Sequence, residues 1–485
     1  MRRNSLVDLF YNEEDVERMH QNVVRVLSEV GVKFESEEAL EVFKHHGAKV
    51  DGDVVYISEG MLENSLKTLP RNFELIGQGS NVTVGLDQEP VVIPTNGTPT
   101  VLHFDGTYAD TSIDDLVNFY KLIDTSEVMK ITSEIAVDLK GFEPVNGSTL
   151  LPQTSLLLKY SSKPIYNILG ATIYNYPHGS LEQGARENIQ FVKKYFDIWD
   201  KYVVYSGTCV LSPLAVNWEA MAHFMAFIKE KQPLSITACS MTNLTAPASL
   251  TGSIVQDCAN ILSIVVLAQL MEPGLPCLYT SLSSMSDMRH IQLCMGAPEF
   301  LLITLGHIAL ANYYNIPARV GGALGDAFEA DYQAGVESFV GLMGPMLTQT
   351  AMIPHGAGTM GSFNLTSYEK FIMDEESIRY LLRLRKGVDN TAEKTISAFE
   401  AIEKAGPRGS YMKGRTPREY REEHYLASDI FNRKGCKDNT IEEQGTIRDR
   451  ALAEYNRRME SYKLPDITST QKKLLNEQLP SKFKF

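Results

Sequence analysis

A (β/α)8 barrel, preceded by an α+β extension and followed by a helical segment, is the fold this chain predicts. Three observations carry it. From about residue 112, apolar runs of strand length alternate with amphipathic stretches of helix length, the pattern of βαβ units on a parallel sheet. Glycine and polar clusters stand where those runs end, most clearly at Gly321-Gly322-Ala323-Leu324-Gly325-Asp326. Active-site loops of a barrel occupy such strand ends, and glycines let the backbone turn there. No Gly-x-Gly-x-x-Gly follows an early strand, which lowers the alternative of a doubly wound open sheet.

Residues 1–110 read as a separate α+β unit. Val16, Met19, Val23, Val26, Leu27 and Val30 recur at helical spacing, with Gly31 as the stop. A second helix runs from Glu37 to His46, and Ser58 is placed to cap a third. Short strand-like pieces follow near Phe73, Val82, Val91 and Thr100.

Residues 111–373 hold seven candidate barrel strands, Ile131–Ala136, Ile165–Gly170, Val203–Val210, Leu234–Cys239, Cys277–Leu282, Ala318–Gly322 and Gln349–Pro354. The eighth is expected before Ile131 or after Ser362. Helices are expected between them, among them Glu182–Trp199, Ser253–Leu270 and Gln333–Leu342. Residues 374–485 are helical and charged, with Gly/Pro breaks and a tail of mixed charge.

Composition excludes several function classes. With 44% hydrophobic and 22% charged residues, the chain has the balance of a soluble globular protein. A net charge of −14 argues against nucleic acid or an anionic membrane as partner. The first residues lack the apolar core of a signal peptide, and the run Ile261–Met271 is too short to span a bilayer. Six cysteines are scattered without Cys-x-x-Cys spacing, which predicts reduced, mostly buried thiols and a cytoplasmic setting.

The strand ends carry no lysine for a Schiff base, no early His-x-His, no zinc spacing, no Walker loop and no Gly-x-Ser-x-Gly. No metal site is expected. They carry aromatics instead, including Tyr166, Tyr174, Tyr176, Tyr205, Tyr279, Phe328, Tyr332 and Phe363. Aromatic faces beside carboxylates suit a quaternary ammonium ion, which has no N–H to donate. Asp326 and Glu329 are the expected counter-charges, and Arg319 or Arg289 the fork for a substrate carboxylate. Each has a plainer reading: the tyrosines as core, Asp326 as a helix cap. His355, in Ile353-Pro354-His355-Gly356, either faces the pocket or bonds loop backbone. Gln333 and Glu337 share a helix face.

The segment Gly321-Gly322 … Asp326 … Asp331-x-Gln333-Ala334-Gly335-x-Glu337 also carries a resemblance. So do Val30-Gly31-Val32 through Gly47-Ala48, Asn96-Gly97 and Arg450-Ala451. With them the chain resembles the trimethylamine methyltransferase superfamily, in its branch without pyrrolysine. The resemblance implies a barrel that moves a methyl group from a quaternary amine to the Co(I) of a corrinoid on a separate protein. Glycine betaine, proline betaine, carnitine and butyrobetaine are the implied substrates. No cofactor is then held by this chain, and a homo-oligomer is expected. Asp326 and His355 become the catalytic candidates, with Phe328, Tyr332, Gln333, Tyr205, Tyr279 and Arg319 binding substrate. Two other readings remain, a barrel lyase or hydrolase using Asp326 and His355, and a quaternary-amine-binding protein without turnover.

Overall fold

A computed structural model describes residues 5–95, 97–134, 142, 149–167, 181–412, 417–435 and 440–485. Asn96, Tyr174, Tyr176, Cys436 and the upper ends of two expected strands, 135–136 and 168–170, lie outside the described residues.

Eight short parallel strands form the centre: β1 (Val91–Val92), β2 (Thr132–Ser133), β3 (Ile165–Tyr166), β4 (Val204–Cys209), β5 (Leu234–Ala238), β6 (Cys277–Ser281), β7 (Ala318–Val320) and β8 (Met352–Ile353). A helix follows each in turn: α1 (Ile113–Asp124), α2 (Pro152–Tyr160), α3 (Leu181–Phe196), α4 (Trp218–Lys229), α5 (Leu250–Met271), α6 (Pro298–Tyr313), α7 (Tyr332–Leu347) and α8 (Tyr368–Lys386). Strands β2 to β8 pair in chain order, and β8 pairs with β1. A parallel bridge between Val92 and Met129 brings β1 against the lead-in to β2, and the Lys130 N–H donates to the Val92 carbonyl at 3.2 Å. The sheet is therefore a closed barrel. Its eighth strand is Val91–Val92, inside the stretch expected as N-terminal extension. It agrees with the expectation of an eighth strand before Ile131, at the strand-like piece marked near Val91.

The helices start where the sequence provides caps. Ser112 and Asp115 form a reciprocal box at α1, Ser249 accepts from the Gly252 N–H at α5, and Asp331 accepts from the Ala334 N–H at α7. Helix α5 absorbs the apolar run at Ile261–Met271. At 22 residues it is long enough to cross a bilayer, but most of it is buried in this molecule against β5, β6 and the N-terminal helices.

Strand alternation divides the core in two. Outward residues such as Val204, Ile236, Tyr279, Ala318 and Val320 join the layer between barrel and helices. Inward residues Ile93, Ile131, Tyr166, Tyr205, Leu278 and Met352 form a second cluster with Phe73, Leu75 and Val84. The latter three come from an antiparallel hairpin, Asn72–Ile76 with Asn81–Gly85. Its Ile76 and Gln78 N–H groups donate to the Tyr202 and Ser162 carbonyls, at 2.9 Å each, beside the N-terminal ends of β4 and β3. The hairpin thus plugs the floor of the barrel. At the opposite end, segments from the loops after β1 and β8 build a four-stranded cover, Tyr108–Asp110, Thr100–Leu102, Leu365–Ser367 and Thr359–Met360.

Leu75 is fully buried in the floor cluster. Leu75→Ala is expected to cost about 2–5 kcal/mol in urea unfolding, through lost burial and the cavity left behind.

Candidate active site at the barrel mouth

Arg319 stands between outward-facing Ala318 and Val320 on β7, so its side chain enters the lumen. It is among the largest fully buried side chains of the molecule. Its guanidinium carbon lies 4.6 Å from the centre of the Tyr166 ring, a cation–π contact. Tyr166 in turn stacks on Tyr205 with 4.6 Å between centroids, and the Tyr205 hydroxyl donates to Met352 Sδ at 2.7 Å. The Arg319 Nε has no hydrogen-bond partner, and no carboxylate among the described residues forms an ion pair with Arg319.

The neighbours of Arg319 are neutral at pH 7. Burial raises Tyr166 and Tyr205 above the ordinary phenol value. Burial, with a smaller contribution from the Arg319 charge, lowers His355 to about 3. Cys209 and Cys239, on the inward faces of the β4 and β5 ends, are open to solvent yet walled by protein. Burial raises both thiols, Cys239 to about 12. The expectation of mostly buried cysteines fails at these two because strand phase turns them into the mouth.

Backbone strain clusters around the same place. Asn167, His355, Ser362 and Phe363 all have positive φ, at 71°, 47°, 49° and 74°, conformations that persist only where the surroundings enforce them. Asn167 accepts from the Ser206 hydroxyl at 2.8 Å and leaves its Nδ2 unpartnered. His355 is buried, with Nδ1 unpartnered and the Phe363 ring 5.1 Å away. A guanidinium and an imidazole nitrogen, neither with a carboxylate partner among the described residues, thus stand near the upper ends of β7 and β8, while Asn167 is tied through Ser206 to the layer between β4 and α4.

The loop after β7 forms the lip. Gly322 has φ +136°, and a Cβ there would meet the Pro354 carbonyl at 2.4 Å, so β7 and β8 approach closely at this point. The Ala323 N–H donates to the His355 carbonyl at 2.9 Å. Asp326 accepts from the Met295 and Gly296 N–H groups at 2.8 and 3.0 Å and from the Ser362 hydroxyl at 2.5 Å. Glu337 accepts from the Asp326, Ala327 and Gln333 nitrogens. Buried Lys370 donates to the Ala323 carbonyl and to Asp374, and Asp374 accepts from the Gly358 N–H. Carboxylates and one ammonium therefore lock the loops after β6, β7 and β8 together.

The structure separates the expected site residues into three groups. Arg319, Tyr205 and His355 converge on the lumen. Asp326 and Gln333 are committed to the lip. Phe328 and Tyr332, 70% and 88% exposed, point into solvent, with Tyr332 on the outer wall beside α7. Tyr279 lies behind β6, fully buried, its hydroxyl 2.7 Å from His307 Nδ1 of α6. It is removed from the lumen by strand phase, one residue out of register with Leu278 and Thr280. Asp326 and His355 are not hydrogen-bonded to each other, and His355 stays neutral, so they make no acid–base dyad. Sequence reading missed Cys209 and Cys239; alternation along β4 and β5 was the signal that could have found them.

The trimethylamine methyltransferase (MTTB) family pattern matches residues 2–482. The chain belongs to the trimethylamine methyltransferase family. It is 70% identical to the L-carnitine:corrinoid methyltransferase of Eubacterium limosum over 485 residues, covering 100% of both chains. It is 43% identical to the proline betaine:corrinoid methyltransferase of the same organism, over 99% of this chain and 98% of that one. Its fold is similar to the crystal structure of monomethylamine methyltransferase (MtmB) from Methanosarcina barkeri. That match has a TM-score of 0.53 at 12% identity, with 94% and 92% of the two chains covered.

The depressed His355 value has a stability consequence. Its folded pKa of about 3 lies below the ordinary 6.5, so between those values the unfolded chain binds a proton that the folded chain does not. Stability contributed by the neutral ring is present above pH 6.5 and falls as pH drops toward 3, by about 1.4 kcal/mol per pH unit at most. Urea unfolding of His355→Asn at pH 6.5 and 4.5 is expected to show a smaller acid-induced loss than the native chain.

Proposed function

We propose that this chain is a quaternary amine:corrinoid methyltransferase acting on a zwitterion of the carnitine class, with the Co(I) of a separate corrinoid protein as methyl acceptor. The observation that carries the reading is the buried guanidinium of Arg319 in the barrel lumen, with its Nε unpartnered and no carboxylate paired to it among the described residues. A charge there is costly without a partner, and a substrate carboxylate supplies one through a bidentate fork. The neutral His355 ring is placed to add a hydrogen bond. Identity of 70% to an enzyme named for L-carnitine over the full length supports this substrate class.

With the carboxylate low in the lumen, the trimethylammonium end faces the mouth, where the Phe363 ring beside His355 offers a π face. The chemistry asks little of acids or bases. The methyl carbon leaves nitrogen with the C–N electron pair staying on nitrogen, and the acceptor's pair forms the new bond. The leaving group is a neutral tertiary amine and needs no proton. The protein therefore acts by position and electrostatics, which agrees with a neutral histidine and with Asp326 and His355 not being hydrogen-bonded to each other. Asp326 acts here as a positioning residue through Ser362, the neighbour of Phe363, rather than as counter-charge to the cation. The acceptor protein must reach the mouth, and exposed Leu211, Leu244, Ile291 and Phe328 on loops around it give that partner apolar contacts.

Mixing the purified protein with a corrinoid protein in the Co(I) state and a panel of quaternary amines tests the reading through loss of the Co(I) absorbance. Conversion is expected with carnitine and related carboxylated amines. Conversion with none of them, or with amines lacking a carboxylate alone, overturns it. Asp326→Ala is expected to lower the rate about a hundredfold by loosening the lip while leaving thermal unfolding cooperative.

A further inference from the structure

Above the hairpin floor, one wall of the lumen is notched. Strand β4 turns Tyr205, Gly207 and Cys209 inward, while Val204 and Ser206 face the helices. Gly207 has no side chain, and solvent reaches it although it stands mid-strand between buried Ser206 and Thr208. A Cβ built there would lie 3.4 Å from the Tyr166 hydroxyl oxygen of β3 and 3.5 Å from Thr237 Oγ1 of β5. The notch is therefore flanked by two hydroxyls, one from each neighbouring strand. Cys209 and Cys239, the next inward positions up β4 and β5, are open to solvent, which leads from the notch toward the mouth.

What the neighbouring hydroxyls do sets these two apart. The Tyr205 hydroxyl donates to Met352 Sδ, and the Ser235 and Thr280 hydroxyls bond each other at 2.7 Å. Among the described residues, no hydrogen bond engages the Tyr166 hydroxyl or Thr237 Oγ1, although both residues are buried, at 4% and 6% exposure. Each hydroxyl can donate one hydrogen bond and accept others. Burial raises the Tyr166 phenol above its ordinary value, so it keeps its proton at neutral pH. Two neutral donor–acceptor groups match a neutral group of the same kind. The space between them is that of the side chain Gly207 lacks, which suits a hydroxyl. A carboxylate has a better place on Arg319, whose guanidinium lies over the Tyr166 ring.

We propose that Gly207, Tyr166 and Thr237 form a hydroxyl-reading subsite, selecting zwitterions that bear a hydroxyl on the carbon chain between carboxylate and quaternary nitrogen. The inference rests on the reading of Arg319 as the carboxylate's partner and deepens it. Tyr166 belongs to both subsites: its face carries the guanidinium, and its hydroxyl edges the notch. The carboxylate and hydroxyl of one ligand then stand only a few bonds apart, as in a β-hydroxy acid. With the cation held at the mouth, three points of the ligand are fixed, and three points distinguish mirror images.

Calorimetric titration with L-carnitine, D-carnitine and butyrobetaine, which carries hydrogen in place of the hydroxyl, tests the subsite in the native chain and two variants. Thr237→Val removes one hydroxyl and keeps the shape. Gly207→Ala fills the notch at separations ordinary for van der Waals contact, so the barrel is expected to fold. Neutral hydrogen bonds are worth about tenfold in affinity, so the native chain is expected to bind one carnitine enantiomer about tenfold more tightly than the other and than butyrobetaine. That preference is expected to shrink severalfold in Thr237→Val and to disappear in Gly207→Ala, through lost affinity for the favoured enantiomer. Equal native affinity for all three ligands overturns the subsite and leaves Arg319 as the carboxylate's partner. Native binding of none overturns both readings. The full native preference persisting in either variant overturns the subsite.

Discussion

One buried charge with no carboxylate partner among the described residues organises this molecule. Arg319 sits in the lumen of a barrel whose floor is sealed by an apolar hairpin and whose nearby titratable groups are neutral. Such a charge is tolerated only where something offsets its lost hydration. The Tyr166 face offsets part, but no described carboxylate pairs with it. The remainder is available to an anionic group entering from the mouth. The same low dielectric that makes the free site costly makes an incoming carboxylate strongly attracted. The aromatic stack of Tyr166 and Tyr205 fixes where the guanidinium stands, so the carboxylate end of a ligand is fixed with it.

The rest of the upper face keeps that geometry rigid. Asp326, Glu337 and the Lys370–Asp374 pair bind main-chain groups of successive loops. Their charges are consumed by structure and are absent from the lumen. That division explains how so acidic a chain presents a cationic pocket. Left-handed residues at His355, Ser362 and Phe363 show that the β8 end is held in a conformation local preference does not favour. The cost is met by the network beneath, which aims the imidazole and the Phe363 ring across the mouth.

Much of this was legible in the residues. Alternating apolar runs from Ile131 onward located seven strands, and the Gly321-Gly322 pair marked the lip. Arg319 was named, beside Arg289, as a fork for a substrate carboxylate, and the structure buries Arg319 while Arg289 is exposed and paired with Asp287. What could not be read was phase and exposure. Tyr279 and Leu278 are adjacent in sequence, and only the closed barrel decides which one faces inward. Phe328 and Tyr332 look like cage residues in a string, yet the turn that ends at the Asp331 cap rotates them into solvent. Strand β1 was marked as a strand-like piece at Val91 and one of the two expected places for the eighth strand was before Ile131, but its membership of the barrel depends on pairing with β8, 261 residues away, and the openness of Cys209 and Cys239 depends on loops from other strands. Asp326 was expected as a catalytic candidate, and the structure shows its carboxylate bonded to loop groups. Its partners, Met295, Gly296 and Ser362, are about thirty residues away on other loops, beyond the reach of any local pattern.

The central claim is that Arg319 reads a carboxylate. Calorimetric titration of the native chain and of Arg319→Gln, with L-carnitine and with a quaternary amine that lacks a carboxylate, tests it most directly. The account predicts that the substitution weakens carnitine binding about a hundredfold, as expected for losing one partner of a buried charge pair, while affinity for the uncharged-ended amine is unchanged or improved. Equal affinity of both proteins for carnitine would contradict it.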